Sequence, residues 1–178
     1  MDNVTPIIKA KKAQTKLLII VVVLIILLVI GVITFWHKAS VPKTAVLGAG
    51  QIRLTGNHTI TVPISINTDG YTINAAQVKL AYDPGFLTNV TVSKAGSIFN
   101  LWIPGQPSVD ASNHQMVFEG GVIRPGFKGT ASIGSVSLSA KHAGHTTLIF
   151  SSDTEVLLAD GKGTIIPLAA SPITVSIP

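Results

Sequence analysis

From Ala45 onward the chain repeats every two residues, and this period limits what it can fold into. In Thr59–Asn67, Ile60, Val62, Ile64 and Ile66 point one way, and Thr61, Pro63 and Ser65 the other. Such alternation is the signature of a strand with one buried face. Ala76, Val78, Leu80 and Tyr82 alternate in the same way with Ala75, Gln77, Lys79 and Ala81. Met116 and Phe118 alternate with Val117 and Glu119, and Val136, Leu138 and Ala140 with Ser135, Ser137 and Ser139. Leu148 and Phe150 share a face, with the apolar Ile149 breaking the pattern opposite them, and Ile173, Val175 and Ile177 alternate with Thr174 and Ser176. Turn residues separate the runs at Thr68-Asp69-Gly70, Asp83-Pro84-Gly85, Arg124-Pro125-Gly126, Ala143-Gly144 and Asp160-Gly161-Lys162-Gly163. No segment past residue 44 shows a capped helical period. Short strands, Gly/Pro turns and no helices predict an all-β sandwich or barrel. Pro63 has no amide proton to donate, so its strand is expected at a sheet edge or with a bulge there.

The N-terminal part obeys a different rule. Leu17 to Ile33 is Leu, Ile or Val except for Gly31, and no charge occurs before Lys38. At about 1.5 Å per residue, roughly 20 residues cover the ~30 Å hydrocarbon core of a bilayer. Each central Leu, Ile or Val favours insertion by roughly 0.3–0.6 kcal/mol. The run exceeds the about 7–15 residues of a signal-peptide core, and the segment from Phe35 to Ala39 has no small-x-small cleavage site. An uncleaved transmembrane helix is therefore expected over 17–36. Lys9, Lys11, Lys12 and Lys16 precede it against one acid, Asp2, which places the N-terminus in the cytoplasm. Trp36 suits the far interface. The expected organisation is a basic cytoplasmic tail (1–16), the helix (17–36), a linker (37–44) and an extracytoplasmic β domain (45–178). The protein is expected in the cell membrane as a single-pass chain.

The formal charge of +5 belongs to the tail. Beyond residue 38 stand eight Lys/Arg and seven Asp/Glu, without a basic cluster of the kind nucleic acid requires. There is no cysteine, hence no disulfide and no thiolate metal site. The outer domain has to be held by its core, which about 130 residues can supply.

Catalytic and metal constellations are poorly represented. His142 and His145 lie in a turn with no acid nearby, and His58 and His114 also neighbour turns. Asp153 and Glu155 sit side by side on one wall rather than facing each other, with Glu119 a candidate third carboxylate. No Gly-x-Ser-x-Gly elbow, phosphate-binding glycine motif or calcium-loop motif is present. No enzyme activity and no cofactor are expected. Trp102, in Ile98-Phe99-Asn100-Leu101-Trp102-Ile103-Pro104, either caps the core or presents a ring on which a sugar stacks, with Tyr71 as a second candidate platform.

One ordered set of segments resembles a known family. Ile73 to Pro84, followed by Leu87 and Val90, looks like the third strand and following turn of cohesin modules. Lys94-Ala95-Gly96-Ser97-Ile98-Phe99, Phe118-Glu119-Gly120-Gly121, Pro125-Gly126-Phe127-Lys128-Gly129 and Leu158-Ala159-Asp160-Gly161-Lys162-Gly163-Thr164 continue in the same order. The resemblance spans about Thr59 to Thr164. It implies a jelly-roll, immunoglobulin-like sandwich of about nine strands, related to certain carbohydrate-binding modules. It also implies docking of a dockerin-like protein on one flat sheet face, in assemblies that degrade polysaccharide at cell surfaces. Carried onto this chain, that face comprises Ala75, Gln77, Lys79, Asp110, Val117, Glu119, Asp153 and Glu155. Ala75 and Gln77 stand where dockerin-binding cohesins often carry a polar residue and an acid. The expected function is capture of a surface or secreted protein. The alternatives are polysaccharide binding through Trp102 and Tyr71, or a structural role in an envelope or filament assembly.

Overall fold

The computed structural model describes residues 22–28, 42–54 and 59–177. The chain divides into two units, Met1–Pro42 and Lys43–Pro178. In the first, residues 22–28 are helical. Among the described residues no helix is long and apolar enough to cross a membrane. Most of the span expected over 17–36, together with the tail and residues 37–41 of the linker, lies outside them.

The second unit is a sandwich of two sheets. Its strands are β1 (Ala45–Ala49), β2 (Arg53–Leu54), β3 (Thr59–Asn67), β4 (Ile73–Ala81), β5 (Leu87–Ser93), β6 (Leu101–Trp102) and β7 (Ser108–Asp110). They continue as β8 (Gln115–Gly121), β9 (Thr130–Ala140), β10 (Gly144–Phe150), β11 (Glu155–Leu158), β12 (Leu168–Ala170) and β13 (Ile173–Ile177). One sheet has the order β12-β1-β3-β9-β5 with β2 beside β3; the other has β13-β10-β4-β8-β6 with β11 beside β4 and β7 beside β8. β1 and β12 run parallel, and the remaining pairs are antiparallel. Thirteen strands among the described residues replace the expected nine or so. β2, β6, β7 and β12 are only two or three residues long, too short to show a period.

Alternation builds the core. Ile60, Val62, Ile64 and Ile66 of β3 are buried, as are Val78 and Leu80 of β4, Met116 and Phe118 of β8, Val136 and Leu138 of β9, and Val175 of β13. Their partners on the outer face of the first sheet are hydroxyls. Thr59 faces Ser139 across 3.4 Å, and Thr61 faces Ser137 across 3.3 Å. Ile149 points outward at 54% exposure, so its break in the alternation is real.

Of the two expectations for Pro63, the sheet edge is corrected, while a bulge does lie beside it at Ile64/Ser65. β3 lies inside its sheet, not at the edge. The Pro63 carbonyl accepts from Gly50 N at 2.8 Å, on the side where β1 has ended, opposite Ile64, and β2 has yet to begin, opposite Thr61. Within one strand residue, N and C=O point the same way, so the missing donor falls in that gap. The register shift in this region is between β3 and β9, where Ile64 and Ser65 pair with Gly134 and Ser132 and leave Ile133 as the extra residue. Proline thus costs no ladder bond.

The turns follow the sequence closely. Tyr71 N donates to Thr68 O at 2.9 Å, with Asp69 and Gly70 both at positive φ. Gly85 N donates to Asp83 Oδ1 at 2.8 Å, and Lys162 N to Asp160 Oδ1 at 2.9 Å. Residues 43 and 44 are tied to the sandwich through Tyr71 Oη to Lys43 O and Thr44 N to Asp69 Oδ2.

Candidate functional site

The outer face of the second sheet is built in rows by strand register. Glu155 pairs with Gln77, and Gln77 with Glu119. One row away, Leu157 pairs with Ala75, Ala75 with Gly121, and Gly121 with Leu101. An isolated bridge adds Ile165 opposite Leu157. On the far side, Lys79 pairs with Val117, and Val117 with Ser108. Neighbouring strands lie about 4.8 Å apart, so Glu155 and Glu119 flank Gln77 at roughly 10 Å from each other. This is a carboxylate–amide–carboxylate row beside an apolar row.

The apolar row is exposed at its two ends and half-buried between them at Leu157 and Ala75. Leu101 is 61% accessible, Ile165 55% and the neighbouring Ile103 49%. Gly121 gives the row its dip. A Cβ there would lie 2.6 Å from Asn74 O, so no larger residue fits while β4 keeps its place. The result is a shallow depression of about 400 Å³ walled by Ala75, Gln77, Leu101, Ile103, Glu119 and Leu157. Asn74 lies beneath it as the extra residue of a bulge, where Leu157 and Leu158 pair with Ala75 and Ile73. The bulge turns Ile73 into the core, and Asn74 Oδ1 is enclosed with no hydrogen-bond partner.

Of the eight residues carried over from the resemblance, Ala75, Gln77, Lys79, Val117, Glu119 and Glu155 share this face. Asp153 reaches it from the turn before β11, where its carboxylate pairs with Lys79 Nζ. Thr154 Oγ1 accepts from Lys79 N at 3.1 Å and fastens that turn to β4. Asp110 is in register with Gln115 at the far end, and its carboxylate accepts from Ser112 N, Asn113 N and Asn113 Nδ2. It shapes the turn and takes no part in the two rows.

The Lys79 ammonium, ahead of a Ser151 hydrogen bond, holds the Asp153 carboxyl below the usual aspartate value of 3.8. Asp110 is lowered by Asn113, and Asp160 by Thr164. A carboxylate with a depressed folded pKa contributes stability that is present above the unfolded value and is lost as pH falls through the folded one. For Asp153 that window lies below about pH 4. Carbon-detected NMR titration of Lys79→Ala is expected to return Asp153 toward 3.8 while Asp110 and Asp160 stay lowered. An unmoved Asp153 would show that the ion pair does not set its titration.

Of the two roles expected for Trp102, its placement fits the core cap: it packs against the core. It pairs with Gly120, whose added Cβ would lie 3.3 Å from the indole, and it is half-buried. Its Nε1 donates to Phe99 O at 3.1 Å, Phe99 packs edge-on at 5.5 Å between centroids, and Lys94 Nζ sits 5.2 Å from the ring centre. Leu101, one residue earlier, is the side chain that faces outward. Tyr71 packs against the core margin with its hydroxyl on Lys43 O. The residues missed from sequence are Leu101, Ile103, Gly121, Leu157 and Ile165. The adjacent Gly120-Gly121 pair was the available signal, because a glycine on each face marks close approach on both. Among the described residues no group of three or more His, Asp or Glu converges as a metal site.

No protein-family model matches the chain, and no curated protein does. Solved structures match over most of it. A novel type I cohesin–dockerin complex from Clostridium thermocellum, Coh-OlpC-Doc435, aligns at TM-score 0.61 and 12% identity, covering 79% of this chain and 98% of the other. The seventh ScaB type I cohesin from Pseudobacteroides cellulosolvens aligns at 0.55 and 19%, covering 76% and 92%. A type II cohesin domain from the cellulosome of Acetivibrio cellulolyticus aligns at 0.56 and 14%, covering 76% and 95%. The β domain is therefore a two-sheet sandwich with a cohesin-like fold.

Proposed function

We propose that this chain is a membrane-anchored, non-catalytic surface module that captures a protein partner on the outer face formed by β11, β4, β8 and β6. The observation that carries the reading is the apolar row of Ile165, Leu157, Ala75, Gly121 and Leu101, exposed at its two ends and dipping at the buried Gly121, beside the row of Glu155, Gln77 and Glu119. Contiguous exposed apolar surface rimmed by polar groups marks an interaction site, and an apolar centre with a polar rim is the anatomy of protein–protein interfaces. Similarity to a cohesin that was solved in complex with a dockerin supports a dockerin-like partner. The uncharged run from Leu17 and its basic N-terminal flank support the anchor and an extracytoplasmic domain.

The test immobilises residues 43–178 and exposes them to the organism's secreted and surface proteins, beside the same domain carrying Leu101→Asp. A partner held by the native domain and lost from the variant supports the reading. A partner held equally by both places recognition elsewhere. Anchoring is tested separately: the full chain is expected to stay with membranes through an alkaline carbonate wash, and its release would remove the anchor.

A further inference from the structure

We infer that β13 is a self-pairing edge, through which a second copy of this chain joins to make one continuous sheet. The strand reads Ile173-Thr174-Val175-Ser176-Ile177, which is nearly the same in both directions. Turned about a two-fold axis at Val175, it places Thr174 opposite Ser176 of the second copy, Ile173 opposite Ile177, and Val175 opposite itself. An interface between identical copies needs this kind of self-complementarity.

The edge is open. β13 ends its sheet, and among the described residues it pairs only with β10. Ile173, Val175 and Ile177 are 4%, 0% and 3% accessible, while Thr174 and Ser176 are exposed. Alternate residues of a strand direct their backbone groups to opposite sides. The buried set turns to β10, which leaves the N–H and C=O of Thr174 and Ser176 on the free side. Those two residues would form the hydrogen-bonded pairs of an antiparallel seam, four backbone bonds in all, with Val175 at the unbonded centre. Edges are commonly protected by charge, proline or a bulge. Within β13 there is none of these, and its register with β10 runs unbroken from Gly144↔Ile177 to Leu148↔Ile173.

The edge lies across the sheet from β6 and β8, so pairing leaves the Leu101–Gly121 side of the face uncovered. Two copies joined this way would present two faces from one sheet, which raises the apparent affinity for a repeated or clustered partner.

The chain has no cysteine, which allows a test of register. Two differently tagged full-length copies, one Thr174→Cys and one Ser176→Cys, are expressed together and oxidised in the intact cell. Opposed residues of a hydrogen-bonded pair have Cα atoms about 5.5 Å apart, inside the reach of a disulfide. Thr174 opposite its own copy is offset by two residues and falls beyond about 7 Å. The mixed pair is expected to cross-link about tenfold more than either variant alone, given that distance limit. Both positions are exposed, and an unchanged unfolding midpoint for each variant confirms that the fold is kept. Equal yields from mixed and single variants, no cross-link at all, or cross-links chiefly to another protein would each overturn the inference. In a second arm, Thr174→Lys with Ser176→Lys sets ammonium against ammonium across the seam. It is expected to abolish self-association seen by sedimentation of the solubilised native chain; a native chain that sediments as a monomer also overturns it.

Discussion

Phe118→Ala is expected to destabilise the β domain by about 3–5 kcal/mol, the range for truncating a large buried aromatic. Phe118 is fully buried and leads the buried side chains in size. It comes from β8 and reaches across to the opposite sheet, where Gly134 of β9 receives its ring. A Cβ at Gly134 would lie 2.6 Å from Phe118 Cε1 and 2.9 Å from Ser93 O, and its φ of 153° lies in a region that glycine favours. One sheet has given up a side chain so that the other can fill the space. The cavity left by alanine therefore has no flexible neighbour on that side to collapse into it. Domains of this size have total stabilities of about 5–15 kcal/mol, so the variant would lose a large share. Urea unfolding followed by Trp102 fluorescence is the measurement, with the midpoint falling and the slope unchanged. A shift under about 1 kcal/mol would mean that the site relaxes as few core sites do.

The second large effect is on recognition. Leu101→Asp combined with Ile165→Asp is expected to weaken partner binding at least about a hundredfold, or about 2.7 kcal/mol. The two residues stand at opposite ends of the apolar row and are 61% and 55% exposed in the free chain. Exposed positions of this kind contribute little to folding, so the unfolding midpoint should move by less than about 0.5 kcal/mol. Within a docked interface each new carboxylate would be desolvated without a partner, which is where large binding losses arise. Titration calorimetry with the captured partner measures the first quantity, and thermal unfolding the second. Native affinity in the double variant would take the docking site away from this row.

Where alternation was long, the sequence was a sufficient guide. β3 and β13 bury the residues their period assigned, and the turns at Asp83 and Asp160 are closed by the side chains that announced them, whereas Asp69 N donates to Asn67 Oδ1. Short strands were not legible. A two-residue strand such as Leu101–Trp102 has no period, so the sequence left Trp102 either as a core cap or as a platform and gave no sign that Leu101 is the outward member. Pro63 misled because a strand's edge is a local property. A strand inside a sheet has an edge wherever a neighbour stops, and β1 stops beside Pro63. The polar row of the face was readable because Gln77, Glu119 and Glu155 lie on alternating strands. The apolar row was not, because Ala75, Gly121, Leu101 and Ile165 come from four segments joined only by register, and a bulge at Asn74 intervenes.

The alternation along β4 has a consequence for how such a surface changes over time. Ala76, Val78 and Leu80 answer to the packed interior, whereas Ala75, Gln77 and Lys79 between them are half-buried on the outer face, with Lys79 also paired to Asp153. Each outward residue is separated from the next by one that holds the sandwich together, so changes to the outer face and changes to the core fall on interleaved positions. Substitution can rewrite that outer face while leaving the scaffold intact. Sandwiches sharing 12–19% of their residues with this one keep its architecture, as expected of a framework held by its inward residues alone.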